Sequence, residues 1–181
     1  HPDFRANALS DAPAGGADFE FWTENDLALI LLPESSSKTP IKVSTSLVTD
    51  PGTSTMATVL GRGAAERLRQ VQVSLRPAGE CSEAYPDATF LKSQQLCAGK
   101  EVGQDFCVGD WGGPLITFEE DGSSLQVGVA SYSTCGTGKP GVYVRLSSYE
   151  YWIQKTSESF EPVPASTLVL ILGAAGGSVA F

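Results

Sequence analysis

Alternation with a period of two residues constrains this chain more than any other feature. In QVQVSLRP (70–77) the apolar Val71, Val73 and Leu75 take every second position, with Gln70, Gln72 and Ser74 between them. SSLQVGVASYS (123–133) sets Leu125, Val127 and Val129 on one face in the same way, and GVYVRL (141–146) is short, β-branched and preceded by Pro140. Successive side chains of a strand point to opposite faces, so this spacing predicts half-buried strands of an antiparallel sheet. The 19 glycines and 11 prolines supply the turns that such a protein needs. PESSSKTP (33–40) and TDPGTST (49–55) read as polar connectors. One helix is expected, because Ser147, Ser148, Tyr149 and Glu150 have the S-x-x-E spacing of a capping box ahead of YWIQK.

The chain has 181 residues, 41% apolar and 18% charged, enough for one core and one domain, or a domain and a fragment. Its net charge of −9 comes without a cluster of Lys and Arg, so nucleic acid and anionic membrane surfaces are excluded as partners. Cys81, Cys97, Cys107 and Cys135 form an even set in the second half, which reads as two disulfides made in an oxidising compartment. Four cysteines allow three pairings, and spacing does not choose among them. His1 is the sole histidine and no CxxC motif is present, so neither a metal nor another cofactor is expected.

After EPVP (161–164) the character changes. TLVLILGAAGGSVAF (167–181) carries no charge over 15 residues, short of the roughly 20 that a spanning helix needs. With Ser157, Glu158 and Ser159 before it, the tail fits a lipid-anchor signal of the GPI type better, the alternative being a greasy terminus of a truncated chain.

Residues 109–115 read GDWGGPL. CAGKEVGQDFCVGDWGGPL (97–115) and VASYSTCGTGKPGVYVRLSSYEYWI (129–153) resemble the C-terminal half of the trypsin/chymotrypsin family of serine proteases, and NDLALILL (25–32) resembles its segment bearing the catalytic Asp. HPDF (1–4) is similar to the stretch just upstream of that segment. The resemblance implies an all-β, trypsin-like double β-barrel, here with the first barrel truncated and a C-terminal helix. Residues 1–44 would be the remnant of the first barrel, 45–158 the C-terminal barrel, and 159–181 a linker and apolar tail. The remnant strands would lack neighbours and leave open edges. The disulfides implied are Cys81–Cys97 and Cys107–Cys135.

Site roles follow from the same resemblance. Asp26 matches the triad Asp and Trp111 the nucleophile. The N–H groups of Gly109 and Trp111 match the oxyanion hole, and Asp110 matches the Asp that pairs with the new amino terminus after activation. Asp105 matches the base of a trypsin-type specificity pocket, with Ser131, Tyr132, Ser133 and Gly141 along its walls. An indole has only a donor N–H, so it cannot form an acyl intermediate. His1 precedes Asp26 by 25 residues and does not match the triad His. Ser133 stands where the family usually has Gly, Phe106 where a small residue is usual, and Arg62 where Trp is usual. Ala57 and Thr117 replace both halves of a further family disulfide.

The expected function is therefore that of a secreted or cell-surface, extracellular pseudoprotease that binds a protein or peptide partner, with a partly collapsed pocket and the Trp111 ring near its mouth. Two alternatives remain at this point. One is a trypsin-like endopeptidase whose activity is lost, or restored in a different gene product; the other is a non-functional truncated copy.

Overall fold

Six antiparallel strands close on themselves to make the core of the protein. The computed structural model describes residues 1–8, 21–32, 36–45, 55–63, 67–86, 88, 90–160 and 168–171. The barrel strands are β5 (Met56–Gly61), β6 (Arg69–Arg76), β7 (Gln95–Ala98), β8 (Pro114–Phe118), β9 (Ser124–Tyr132) and β10 (Gly141–Arg145). They run in the order β10-β7-β6-β5-β8-β9, and pairing of β9 with β10 closes the ring. Ahead of the barrel come β1 (Arg5–Ala8), β2 (Phe21–Glu24), β3 (Ala28–Leu31) and β4 (Lys42–Val43), the last lying parallel to β9. Helix α1 (Ala78–Ala84) follows β6, helix α2 (Glu150–Glu158) follows β10, and β11 (Leu168–Ile171) is last.

The alternation in β6 survives folding. Val73 and Leu75 are buried in the barrel interior while Gln70 and Gln72 are exposed. The interior also takes Val59, Leu96, Leu115 and Tyr143, closely packed apolar side chains of the kind that supply most of the folding free energy. Strand β10 departs from simple alternation because both its faces are covered. Tyr143 points into the barrel, Val142 packs with Cys81 and Cys97 near α1, and Val144 packs with Leu146 and Tyr149 near α2.

Strand β9 corrects the expectation that Leu125, Val127 and Val129 share a face. Gln126 pairs with Ile116 and Gly128 with Leu115, so Val127 is an extra residue in the ladder. A bulge of this kind shifts the parity of all that follows. Leu125 and Val127 therefore face the barrel interior, whereas Val129 joins the outer cluster with Leu27 and Val144. Gly128 is then turned inward, where a Cβ would lie 3.1 Å from the Val144 carbonyl oxygen and 3.3 Å from Leu115 Cδ2.

Two further expectations are corrected. The helix near residue 147 does not begin in a capping box. Leu146–Tyr149 form a 3-10 turn, Tyr149 occupies the N-cap of α2, and no side chain caps it. In a 3-10 turn residues three apart share a face, and here Leu146 and Tyr149 are both buried in the outer cluster. Ser148 Oγ instead donates to the Ser93 carbonyl. The other correction concerns the edge of β3, expected to be open. It carries β11 in antiparallel register, Leu168 opposite Leu31 and Ile171 opposite Ala28, so part of the segment assigned to the tail is a strand. The rest of the tail, 172–181, and much of the two connectors at 33–40 and 49–55 lie outside the described residues. Among the described residues no helix is long and apolar enough to cross a membrane.

The four cysteines pair Cys81–Cys97 and Cys107–Cys135, with sequence separations of 16 and 28. On the chain-entropy argument each loop closure contributes about 3–4 kcal/mol. Gly128→Val tests the bulge: the added side chain has no space between β8 and β10, so urea unfolding should show a loss of about 1–3 kcal/mol. A midpoint equal to that of the parent would mean that Gly128 does not face the interior.

Candidate functional site

Asp26 sits in the loop between β2 and β3 and is 1% exposed. A carboxylate taken this far out of water needs partners. Ser131 Oγ donates to its Oδ2 at 2.7 Å, and Thr23 Oγ1 lies 3.2 Å from the same oxygen and 2.6 Å from Ser131 Oγ. Burial raises the Asp26 pKa, and the two hydroxyls offset part of that rise. Its other oxygen, Oδ1, is buried with no hydrogen-bond partner among the described residues. Ser131 reaches Asp26 because β9 is irregular there too. Tyr132 pairs with Val142 and Ala130 with Tyr143, which leaves Ser131 as the extra residue. Bulges beside sites commonly re-aim one side chain in this manner.

The sole histidine does not complete this group. The His1 ring packs against Trp152 at 4.9 Å and Tyr149 at 5.7 Å between centroids, and its Nδ1 accepts from the Asp3 N–H at 3.1 Å. The sequence reading missed Thr23, Gln95 and Tyr149 as supports of the Asp26 loop. Gln95 Nε2 donates to the Thr23 carbonyl at 3.1 Å, and Tyr149 Oη donates to Asn25 Oδ1 at 2.9 Å. Nothing in the local sequence marks them, since they lie as far as 124 residues from the groups they hold.

Residues 107–113 fold into consecutive tight turns. Asp110 N–H donates to the Cys107 carbonyl and Gly113 N–H to the Asp110 carbonyl, both at 2.9 Å. The Asp110 carboxylate accepts from the N–H groups of Gly63 and Cys107, the latter at 3.1 Å. Gly109 has φ +92°, and a Cβ there would lie 2.9 Å from the Gly63 carbonyl oxygen. At Gly113 a Cβ would lie 2.7 Å from the Leu60 carbonyl oxygen and 2.8 Å from that of Asp110. Only glycine fits either position. Among the described residues the N–H groups of Gly109 and Trp111 donate to no acceptor. The Trp111 side chain is half-buried and packs against the barrel cluster.

Asp105, Ser133 and Gly141 meet at one place. A Cβ on Gly141 would lie 2.7 Å from Asp105 Oδ1 and 2.8 Å from Phe106 Cε1. The Phe106 ring is 1% exposed and stands edge-on to Tyr143 at 5.1 Å. Ser133 Oγ donates to the Phe106 carbonyl at 3.0 Å and accepts from the Cys135 N–H at 2.9 Å. Tyr132 turns away into the cluster near α1, edge-on to Tyr85 at 5.4 Å. Burial pushes the Asp105 carboxyl up to about 6, against the opposing influence of the Ser133 hydroxyl and then of the backbone N–H groups of Phe106, at 2.8 Å, and Gly136. The Tyr143 phenol is raised well above its ordinary range, chiefly by burial and then by the charge of Asp105. A cavity of about 500 Å³ borders Asp105 on the side of Gly61–Gly63 and Arg69–Val71, with Asp110 on its wall. Among the described residues no group of His, Cys, Asp or Glu could hold a metal ion.

The chain is similar to known proteins over most of this framework. The family model described as Trypsin matches residues 14–153. Serine protease 41 of Homo sapiens is 35% identical over 111 residues, which is 58% of this chain and 35% of that protein. The match thus spans about a third of the length of that relative.

The Asp105 carboxyl gives a pH test with a definite sign. Its pKa in the folded protein lies above its ordinary value of 3.8, so the folded state holds the proton more tightly than the unfolded chain does. The ionised group then costs stability above pH 6, and that cost fades as the pH falls through the interval between about 6 and 4. Asp105→Asn should raise stability at pH 8 by about 1–2 kcal/mol and leave it unchanged near pH 3.5. Equal gains at both pH values in urea unfolding would show that the charge of Asp105 is not the source.

Proposed function

Because the chain belongs to the trypsin family, we propose that it is a catalytically silent member that acts by binding a protein or peptide partner. The observation that carries the reading is the side chain at position 111. The frame of turns that presents a nucleophile is kept around it, in Gly109, Asp110, Gly112 and Gly113, while the residue presented is tryptophan. Acyl transfer needs a hydroxyl or thiol with a base beside it, and an indole offers neither a usable lone pair nor a leaving proton.

On this reading Gly109 and Asp110 are structural relics of the oxyanion hole and the activation switch. Asp105, Ser133 and Gly141 are the frame of a specificity pocket, while Ser131 reaches Asp26 and Tyr132 packs near α1. Two disulfides suit an extracellular setting, and we take the chain to be secreted or held at the cell surface. Recognition then falls to exposed loops around the barrel rim, which tolerate change without loss of the core.

Activity assays decide between a silent and an active chain. Incubation with an active-serine phosphonate should leave the intact mass unchanged, and Arg and Lys esters should not be hydrolysed above the buffer rate. Trp111→Ser should be inert as well, because triad groups work as a unit and a lone serine without its base recovers little. Stoichiometric labelling of the parent chain would overturn the reading.

A further inference from the structure

We infer that the specificity pocket framed by Asp105, Ser133 and Gly141 is shut from within, with the Phe106 ring as its plug and the Ser133 hydroxyl as its latch. A slot between the 105–107 segment and β10 would need free volume over Gly141. That volume is already taken: a Cβ on Gly141 would lie 2.8 Å from the Phe106 ring, and the ring is 1% exposed and edge-on to Tyr143. Across the opening, Ser133 Oγ donates to the Phe106 carbonyl and accepts from the Cys135 N–H, tying the 105–107 segment to the 133–135 segment. The Cys107–Cys135 disulfide joins the same two segments covalently.

The consequence is a charge enclosed without a ligand. Asp105 is held by groups of its own chain, the Phe106 N–H together with Ser133 and the Gly136 backbone. The space beside Asp105 lies instead toward Gly61–Gly63 and Arg69–Val71, on the far side of the 105–107 segment from Gly141. The closure is built from side chains of this chain and does not depend on how Asp110 is paired. It would persist if a nucleophile were restored at position 111. The inference rests on the pocket assignment made above, and it is tested by ligand binding rather than by reactivity. Labelling by a phosphonate and failure of the plug are therefore separate outcomes.

The experiment is benzamidine titration by calorimetry at pH 8, with the parent chain and with Phe106→Ala/Ser133→Gly. The parent should show no saturable binding. The double variant, with plug and latch removed, should bind at least about tenfold more tightly, as expected when an amidinium reaches a buried carboxylate. Adding Asp105→Asn should abolish that binding. Saturable binding by the parent would overturn the inference, and so would a folded double variant that binds no better than the parent. Loss of a buried phenyl ring leaves a cavity and destabilises the core. If that variant does not fold, Phe106→Val/Ser133→Gly takes its place and is read in the same way. Ser133→Gly alone tests the latch. Its Cys135 amide should exchange hydrogen about tenfold faster than in the parent, and an unchanged rate would remove the latch from the account.

Discussion

Strand β9 has to satisfy three neighbours at once, and the rest of the protein depends on how it does so. It pairs with β8 over residues 124–129, with β10 over residues 128–132, and with β4 near Leu125. A regular strand of nine residues would keep one face inward throughout. Two extra residues, Val127 and Ser131, break that rule and divide the strand into three stretches. Leu125 and Val127 fill the barrel, Val129 holds the layer around Leu27 and Tyr149, and Tyr132 goes to the layer near α1. Closing the ring and covering it on two sides are therefore the work of one strand.

The same irregularity carries the site. With Ser131 displaced from the ladder, its hydroxyl meets the Asp26 carboxylate, a short polar link between the loop after β2 and the barrel. Asp26 depends on it because burial leaves the carboxylate few other donors. Thr23 joins from the preceding strand, and Gln95 holds the Thr23 carbonyl from β7. The group is a cradle for one carboxylate oxygen, the other having no partner among the described residues.

The turns around position 111 are fixed by the backbone rather than by the side chain they present. Gly109 and Gly113 are demanded by backbone crowding against Gly63 and Leu60. Those constraints act on the main chain and are indifferent to the side chain between them. The tryptophan there finds support on the barrel cluster. Phe106, next to Asp105, belongs to the same buried cluster, and apolar burial of its ring contributes to stability.

Period-two alternation was sufficient to establish an antiparallel β protein, and the frame of glycines around Trp111 was sufficient to suggest the family. Both are local patterns: side chains alternate on a strand, and tight turns need glycine, wherever the chain is placed. The cysteine count implied two disulfides, but only their pairing in space chose the partners. The face of Val129, the start of α2 and the cover on the edge of β3 were decided by tertiary structure alone. Each turns on the register between segments far apart in sequence, and one inserted residue reverses every side chain beyond it. The placement of Phe106 belongs with these. Phe106 was legible as an unusual residue beside Asp105, yet whether its ring faced solvent, core or slot was settled by Tyr143 and Gly141, which lie more than 30 residues away.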